Sequence, residues 1–428
     1  MLIPLIIAVS AACLCTAPAC MAQNASLPRL TDFAGAVNPP GGPLWTELGV
    51  GWGRQDFSWN EIEPANDDWR FERYDSMVLN AHNAGCEILP ILAYTAGWAG
   101  EEANPNVPRL AEWEDFVDTV VSRYKAEPYN LKYFQVWNEP TIKAGFWKGD
   151  SDRDFFTKVY MPAARIIRRH GCKVVFGGWP CSNSIEQYMQ LLDDCQAWQW
   201  TDILDVHYNG LGSMVTLWDR YVATGLCEGV WQTEVGWHPF EEYLPSLYCR
   251  ALSWWLRKGP RSPDQVKLFW YAFWGAGPDS ANCLTAPAPG GSAPTQTHGV
   301  RMRTLNNVLG GGDLRAFVGY STVPQLPFTT GEEEPSSQGF RVGTRTVIAF
   351  QMSPEQVAVG TLEVKVALEK APSKAELWSS TGEVTALVAE DAGNGQWRLA
   401  VPLGGLKPGV ARNWGRKVEF AIGYVMLE

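Results

Sequence analysis

The strongest constraint on this chain is a rhythm. From Leu30 to about Gly310, short β-rich runs alternate with amphipathic helical runs, and the cycle repeats eight times. The strands are expected at 30–37, 51–58, 86–95, 131–139, 172–179, 202–208, 229–235 and 266–274. Helical patterns lie between them, as at 71–84, 110–125, 152–170 and 243–258. A helical crossover returns the chain parallel to the strand it left, so the alternation predicts a parallel sheet covered by helices. Cations close several of these helices, as at Arg257 and Lys258, and Gly85 and Gly171 follow two others as stop signals. Eight such units in about 280 residues predict an α/β fold of the (β/α)8 type. A doubly wound open sheet is the alternative, but no GxGxxG follows any of the strands.

Past about Gly311 the rhythm changes to strands alone, expected at 314–320, 339–352, 362–368, 374–378, 396–401 and 418–427. Turn residues such as Gly382, Asn394-Gly395 and Pro408-Gly409 separate them. This predicts a small C-terminal all-β sandwich. The Gly-, Pro- and Ala-rich stretch 276–297 has the composition of a linker. A short helical pattern at 301–309 follows it, however, so it is read as the loop after the eighth strand. The expected division is a signal peptide at 1–22, a barrel at 23–310 and a sandwich at 311–428. Packing against the barrel is the plain role for the tail, and sugar binding the sharper one.

Composition bounds the partners. Hydrophobic residues make up 46% of the chain and charged residues 19%, which suits a globular protein with a sizeable core. The net charge of −11 argues against nucleic acid or an anionic membrane as partner and is compatible with a neutral ligand such as a sugar. The 21 tryptophans divide between core packing and stacking on the apolar face of a pyranose, and composition does not separate the two. Residues 2–15 are almost wholly apolar, too short to span a bilayer, and small residues follow. That is a secretory signal, with cleavage expected after Ala22 or, alternatively, Ala19. The expectation is a secreted or periplasmic protein without an integral membrane segment. Seven of the ten cysteines follow Gln23, an odd number that leaves at least one unpaired; Cys181 and Cys195 bracket one short segment and are the candidate pair. No CxxC or His-rich spacing occurs and the five histidines are scattered, so neither a metal nor a cofactor is expected.

In such a barrel, chemistry sits at the carboxyl ends of the strands. The fourth strand ends in Trp137-Asn138-Glu139-Pro140 and the seventh in Gln232-Thr233-Glu234-Val235-Gly236-Trp237. Each is an apolar run that stops at a glutamate, and strands four and seven face each other across a closed barrel. Glycoside hydrolysis needs two carboxyl groups flanking the scissile bond. A single strand-end glutamate is more simply an ion-pair partner for a barrel arginine; two, each beside tryptophan, point to catalysis.

The segments FQVWNEP (134–140) and WQTEVGW (231–237) resemble the glycoside hydrolases of clan A, the 4/7 superfamily of retaining barrel enzymes. The stretch GWGRQDFSWNEIEPANDDWRFERYD (51–75) is similar to the second-strand region of families 39 and 42. The resemblance covers roughly residues 30–310. It implies that Glu139 is the acid/base, that Asn138 contacts the sugar 2-hydroxyl and that Glu234 is the nucleophile. It also implies that Arg54 supports the nucleophile, in keeping with a guanidinium's lowering of a neighbouring carboxylate pKa. In Asp205-Val206-His207-Tyr208, His207 and Tyr208 match the clan's His/Tyr pair, with Tyr208 donating to the nucleophile. Trp274, ending strand eight, resembles the aromatic floor of the sugar site, with Trp270 as its rival. Trp98, Trp147, Trp179 and Trp237 lie just beyond strand ends and either line further subsites or pack in the core. The implied function is retaining hydrolysis of a β-linked glycan. A transglycosylase on the same site and a non-catalytic carbohydrate-binding barrel are the alternatives.

Overall fold

A computed structural model describes residues 26–428 apart from 39–42, 238, 276, 287–292, 296 and 413–415. The expected signal segment, with both candidate cleavage points, lies outside the described residues. Eight parallel strands form the central sheet: β1 (Ala34–Val37), β2 (Trp52–Ser58), β3 (Glu87–Ala93), β4 (Tyr133–Val136), β5 (Lys173–Val175), β6 (Ile203–His207), β7 (Gly229–Val235) and β8 (Val266–Trp270). Each pairs with its neighbour in sequence, β8 returns to β1, and Val175 opposite Ile203 joins β5 to β6. The sheet is a closed (β/α)8 barrel.

Helices surround it because their apolar stripes match one face. In Leu110–Lys125, residues Trp113, Phe116, Val117, Val120, Val121 and Tyr124 recur at helical spacing and are all buried. Tyr243–Arg257 is instead buried on every side from Tyr243 to Leu256, because a second sheet covers its outer face. There Ser246 donates to Gln351 at 2.9 Å and Arg250 to the Glu334 carbonyl at 3.0 Å.

That second layer is the C-terminal all-β sandwich. A seven-stranded antiparallel sheet is built around Val418–Leu427, and a four-stranded one packs upon it. Alternation along Val418–Leu427 divides its side chains between two cores. Ala421, Val425 and Leu427 face the sandwich interior, while Phe420, Ile422, Tyr424 and Met426 join the barrel's hydrophobic core. A strand buried on both faces reads as a continuous apolar run, which this one does from Phe420 onward.

Several elements differ from expectation for identifiable reasons. The first expected strand begins with a helical turn, Leu30–Phe33. The expected helix 152–170 contains a π-turn at Phe155–Tyr160, immediately before Pro162, which has no N–H to continue the ladder. The expected fifth strand is broken by Phe176-Gly177-Gly178 before a short segment at Trp179–Pro180. The expected strand 339–352 is a hairpin, Ser336–Val342 and Arg345–Met352, turning at Gly343-Thr344. All seven cysteines after Gln23 are unpaired, so Cys181 and Cys195 form no bridge. Among the described residues no helix is long and apolar enough to cross a membrane.

The barrel interior is stacked in levels. Inward residues of β2 read Trp52, Arg54 and Asp56 from the bottom to the mouth. At the bottom, Trp52, Tyr133, Trp231 and Phe269 pack together. Above them the interior turns polar.

Candidate active site

At the carboxyl ends of the strands the barrel opens into a cavity of about 510 Å³. Arg54, Asn138, Glu139, Tyr208 and Glu234 all line it, together with Asn38, Asp56, Tyr94 and Tyr271. Glu139 arrives on a sharp turn beyond β4. Trp137 (φ 68°) and Glu139 (φ 42°) both adopt the left-handed conformation, and the Glu139 N–H donates to the Gly177 carbonyl at 2.7 Å. Tyr208, one residue past β6, is left-handed as well (φ 51°). Non-glycine residues in this region cost conformational energy and concentrate where a side chain must be aimed.

Glu234 is aimed by a different device. Asp205 stands opposite Trp231 but His207 stands opposite Glu234, so β7 holds one residue more than β6 over this stretch; it does so against β8 too. The bulge breaks strict alternation and lets both Thr233 and Glu234 reach inside.

Arg54, buried at the centre, ties the site together. Its Nε donates to Gln135 Oε1 at 2.7 Å, Nη1 to Glu234 Oε1 at 2.5 Å and Nη2 to Asn138 Oδ1 at 2.7 Å. Because the Asn138 oxygen is occupied, its amide nitrogen is the end left for the cavity and for Tyr94, whose hydroxyl bonds Asn138. Gln135 passes the network on to Asp205 at 2.8 Å.

His207 lies behind both glutamates, fully buried. Thr233 Oγ1 gives its one proton to Asp205 Oδ2 at 2.5 Å, so it accepts from His207 Nε2 at 2.9 Å. His207 Nδ1 faces Glu139 Oε1 at 3.2 Å and Glu234 Oε2 at 3.7 Å. Burial alone would lower this imidazole; the Glu234 charge and hydrogen bonds with Asp205 and Glu139 outweigh burial and push it up to about 9. Burial alone would also raise Glu234. The charges of His207 and Arg54, with hydrogen bonds from Arg54 and Tyr208, reverse this and hold Glu234 below the usual carboxylate range. Tyr208 is raised by burial first and by the Glu234 charge second, so its hydroxyl keeps its proton and donates it.

Glu139, His207 and Glu234 each bring one ligand atom to within 4.8 Å of the others, a spacing that a metal ion could bridge. A divalent ion there would meet the Arg54 guanidinium bonded to Glu234. The charge set fits a carboxylate pair braced by an imidazole better than a cation site.

The tryptophans fall elsewhere. Trp179 is fully buried, donates to the Ser184 carbonyl and stacks on Tyr188 at 4.9 Å. Trp147 is buried and donates to the Ser151 carbonyl. Trp98 is half-buried, donating to the Glu63 carbonyl and packing edge-on against Trp59. None of these three lines the cavity. Trp237 packs edge-on against the cavity residue Tyr208, at 5.4 Å between rings. Trp274 packs partly buried against the core, and Trp270 is buried with its N–H on the Asn282 carbonyl. β8 ends at Trp270, and the aromatic residue it delivers to the cavity is Tyr271. Gln135, Thr233, Tyr94, Tyr271 and Asp56 were not singled out from the sequence. Gln135 and Asp56 were within reach, since inward positions on a strand recur every second residue.

Compared by sequence, the chain matches no protein-family model and no curated protein. Compared by structure, 94% of it superposes on 81% of a family 39 glycoside hydrolase from the gut symbiont Bacteroides cellulosilyticus WH2, with a TM-score of 0.63 at 15% identity. The chain shares the fold of glycoside hydrolases. A GH30 endoxylanase from Clostridium papyrosolvens C71 gives a TM-score of 0.58 at 11% identity, covering 94% of this chain and 98% of that one. A GH39 β-xylosidase from Caulobacter crescentus gives 0.56 at 15% identity, covering 95% and 98%. The coverage extends through the C-terminal sheets, so the pairing of barrel and sandwich is shared as well.

Proposed function

We propose that this protein is a retaining glycoside hydrolase that cleaves β-glycosidic bonds by double displacement, with Glu234 as nucleophile and Glu139 as acid/base. One observation carries the reading: an oxygen of each carboxylate lies within 4.8 Å of an oxygen of the other. A gap of about 5–5.5 Å between the carboxyl groups suits direct attack, whereas inversion needs about 6.5–9.5 Å to admit a water. The fold it shares with glycoside hydrolases supports the same class.

In the first step a Glu234 oxygen bonds to the anomeric carbon while the bond to the leaving oxygen breaks. Glu139 gives that oxygen its proton. In the second step Glu139 takes a proton from water, whose oxygen displaces Glu234 from the same carbon. Arg54 and His207 keep Glu234 ionised before attack, and Tyr208 orients it. Asn138, fixed by Arg54, presents its amide nitrogen to the sugar 2-hydroxyl. His207 Nδ1 and Glu139 Oε1 stand on one hydrogen-bond line, so Glu139 has a proton reserve beside it.

The endoxylanase and β-xylosidase among the structural neighbours make β-xylosides the first substrates to try. The apolar amino-terminal stretch supports export, and the change of pattern near Gly311 supports division of the chain there. The mechanism is tested by proton NMR of the first-formed product from an aryl β-glycoside. The β anomer is expected before mutarotation; initial release of the α anomer would overturn double displacement. A 2-fluoro β-glycoside with a good leaving group is expected to label Glu234, and labelling of another residue would overturn its assignment.

A further inference from the structure

Asp56 is a carboxylate in this cavity for which double displacement has no use. It follows Arg54 by two residues on β2, and side chains at that spacing share a face roughly 6.6 Å apart. Asp56 therefore stands above Arg54 at the mouth, with Asn38 and Tyr94 from the ends of the neighbouring strands lining the same cavity. Arg54 does not bond it, because its nitrogens are committed to Gln135, Glu234 and Asn138. Among the described residues, no group donates a hydrogen bond to Asp56 and none forms an ion pair with it. Partial burial first, then the charges of Glu234 and Glu61, raise its pKa against the opposing pull of Arg54. Asp56 is exposed to solvent at the mouth, so water meets its oxygens in the cavity, and a sugar that displaces that water must supply hydroxyl donors in its place.

On the hydrolase reading, which this inference rests on, the sugar ring has its anomeric carbon at Glu234 and its 2-hydroxyl at Asn138. The hydroxyls left for the β1–β3 wall are those on the ring carbons farther from the scissile bond. We propose that Asp56 is a specificity-determining residue that accepts hydrogen bonds from neighbouring hydroxyls on that sugar and selects a neutral vicinal diol over a uronic acid. A carboxylate offers two acceptor oxygens and no donor, so it matches a pair of hydroxyls and repels a second carboxylate. The cations nearby do not offset this repulsion, because Arg54 is bound to Glu234 and His207 faces Glu139 and Asp205.

The test uses the full chain with aryl β-glycosides of neutral sugars, their 3-deoxy and 4-deoxy analogues and the matching β-glucuronide. Asp56→Ala is expected to lower kcat/KM on the best neutral glycoside by roughly 10- to 150-fold, the worth of a hydrogen bond to a charged group. On either deoxy analogue, which keeps one of the two hydroxyls, the same substitution should cost clearly less than on the parent. Asp56→Asn, which keeps the shape and loses the charge, should narrow the preference for neutral sugar over glucuronide about tenfold or more. Equal losses on parent and deoxy substrates, or wild-type kcat/KM in Asp56→Ala with an unchanged melting curve, would overturn the proposal. Labelling of Glu234 by the 2-fluoro glycoside separates the two failures. If the wild type is labelled and Asp56→Ala is indifferent to the hydroxyls, only this inference falls. If the wild type is neither labelled nor active on any glycoside, the hydrolase reading falls and takes this one with it.

Discussion

The two ends of the barrel both bury a cation and use it for opposite purposes. At the bottom, Lys267 lies 4.1 Å from the Trp52 ring centroid and 5.2 Å from that of Trp231. It donates to the Asp32 carbonyl at 2.6 Å and to Asp264 at 2.8 Å. Burial lowers its pKa despite Asp264. Its partners are aromatic faces, a backbone oxygen and one carboxylate, and together they close the barrel floor. At the mouth, Arg54 is as deeply buried, but Glu234 and Asn138 on its far side line the cavity. Five donors in a fixed plane let one guanidinium hold three side chains in register, which a lysine ammonium does not do. The difference lies in what the partners border: those of Lys267 close the floor, whereas Glu234 and Asn138, held by Arg54, line the cavity at the mouth.

The surest way to break this comparison is to alter one group at each end. Glu234→Gln is expected to lower kcat by several orders of magnitude, because it removes the nucleophile while its shape remains. Lys267→Met replaces the cation with an apolar chain of similar length. It should leave kcat/KM within about twofold and cost about 1–3 kcal/mol in stability from the partners left behind. Steady-state kinetics and denaturant melts measure both. If Lys267→Met removed as much activity as Glu234→Gln, the two ends would not be separable.

The next effect is read in pH. His207 is raised from 6.5 to about 9, so the stability it contributes is complete below about pH 6.5 and is lost as pH rises through about 9. That linkage amounts to at most about 3 kcal/mol. Glu234 works in the opposite direction. Its stabilisation is complete above the ordinary value of 4.5 and is lost as pH falls through its lowered folded value. Unfolding free energy should therefore decline between about pH 6.5 and 9, and His207→Gln should flatten that decline. An unchanged slope in the variant would remove His207 from the charge balance of the site.

The smallest effect tests the brace behind His207. Gly178 has φ 73°, and a Cβ there would fall 2.0 Å from His207 Nε2. Gly178→Ala should cost roughly 1–2 kcal/mol from backbone strain and displace the imidazole. A loss of kcat larger than any change in KM is the expected signature, since His207 touches the carboxylates and does not line the cavity. Wild-type kinetics in this variant would mean that the imidazole has room to move.

Much of this protein follows from sequence period alone. Alternating β-rich and 3.6-period runs specify strands and helices, and eight of them specify a barrel, because each amphipathic helix must bury its stripe on the sheet. Strand ends are legible for the same reason, which is why Glu139, Glu234, Asn138, Arg54 and Tyr208 could be named and why all five line one cavity. The tryptophans carry no such local signal. Trp98, Trp147 and Trp179 stand where subsite residues could stand, but whether an indole meets a sugar or another ring depends on which loops fold over it. The strand-forming run continues to Trp274, but β8 ends at Trp270 and Tyr271 is the aromatic residue on the cavity. The hairpin turns at Gly343-Thr344, where Gly343 has φ 56°, so a single glycine within a run of strand-forming residues is its only local mark.

What only the tertiary structure decided are relations between distant residues. The bulge at Thr233-Glu234 exists in the register of β7 against both of its neighbours, and no property of β7 by itself displays it. The three bonds of Arg54 join β2 to groups on β4 and β7. The isolation of Asp56 is the complement of those bonds, since a carboxylate beside an arginine in sequence is expected to be its partner until the arginine is seen to be engaged elsewhere. Local sequence determines which elements form and which faces they bury. Whether a polar group is satisfied by its neighbours or left for a ligand is settled only when the barrel closes and brings the other donors and acceptors within reach.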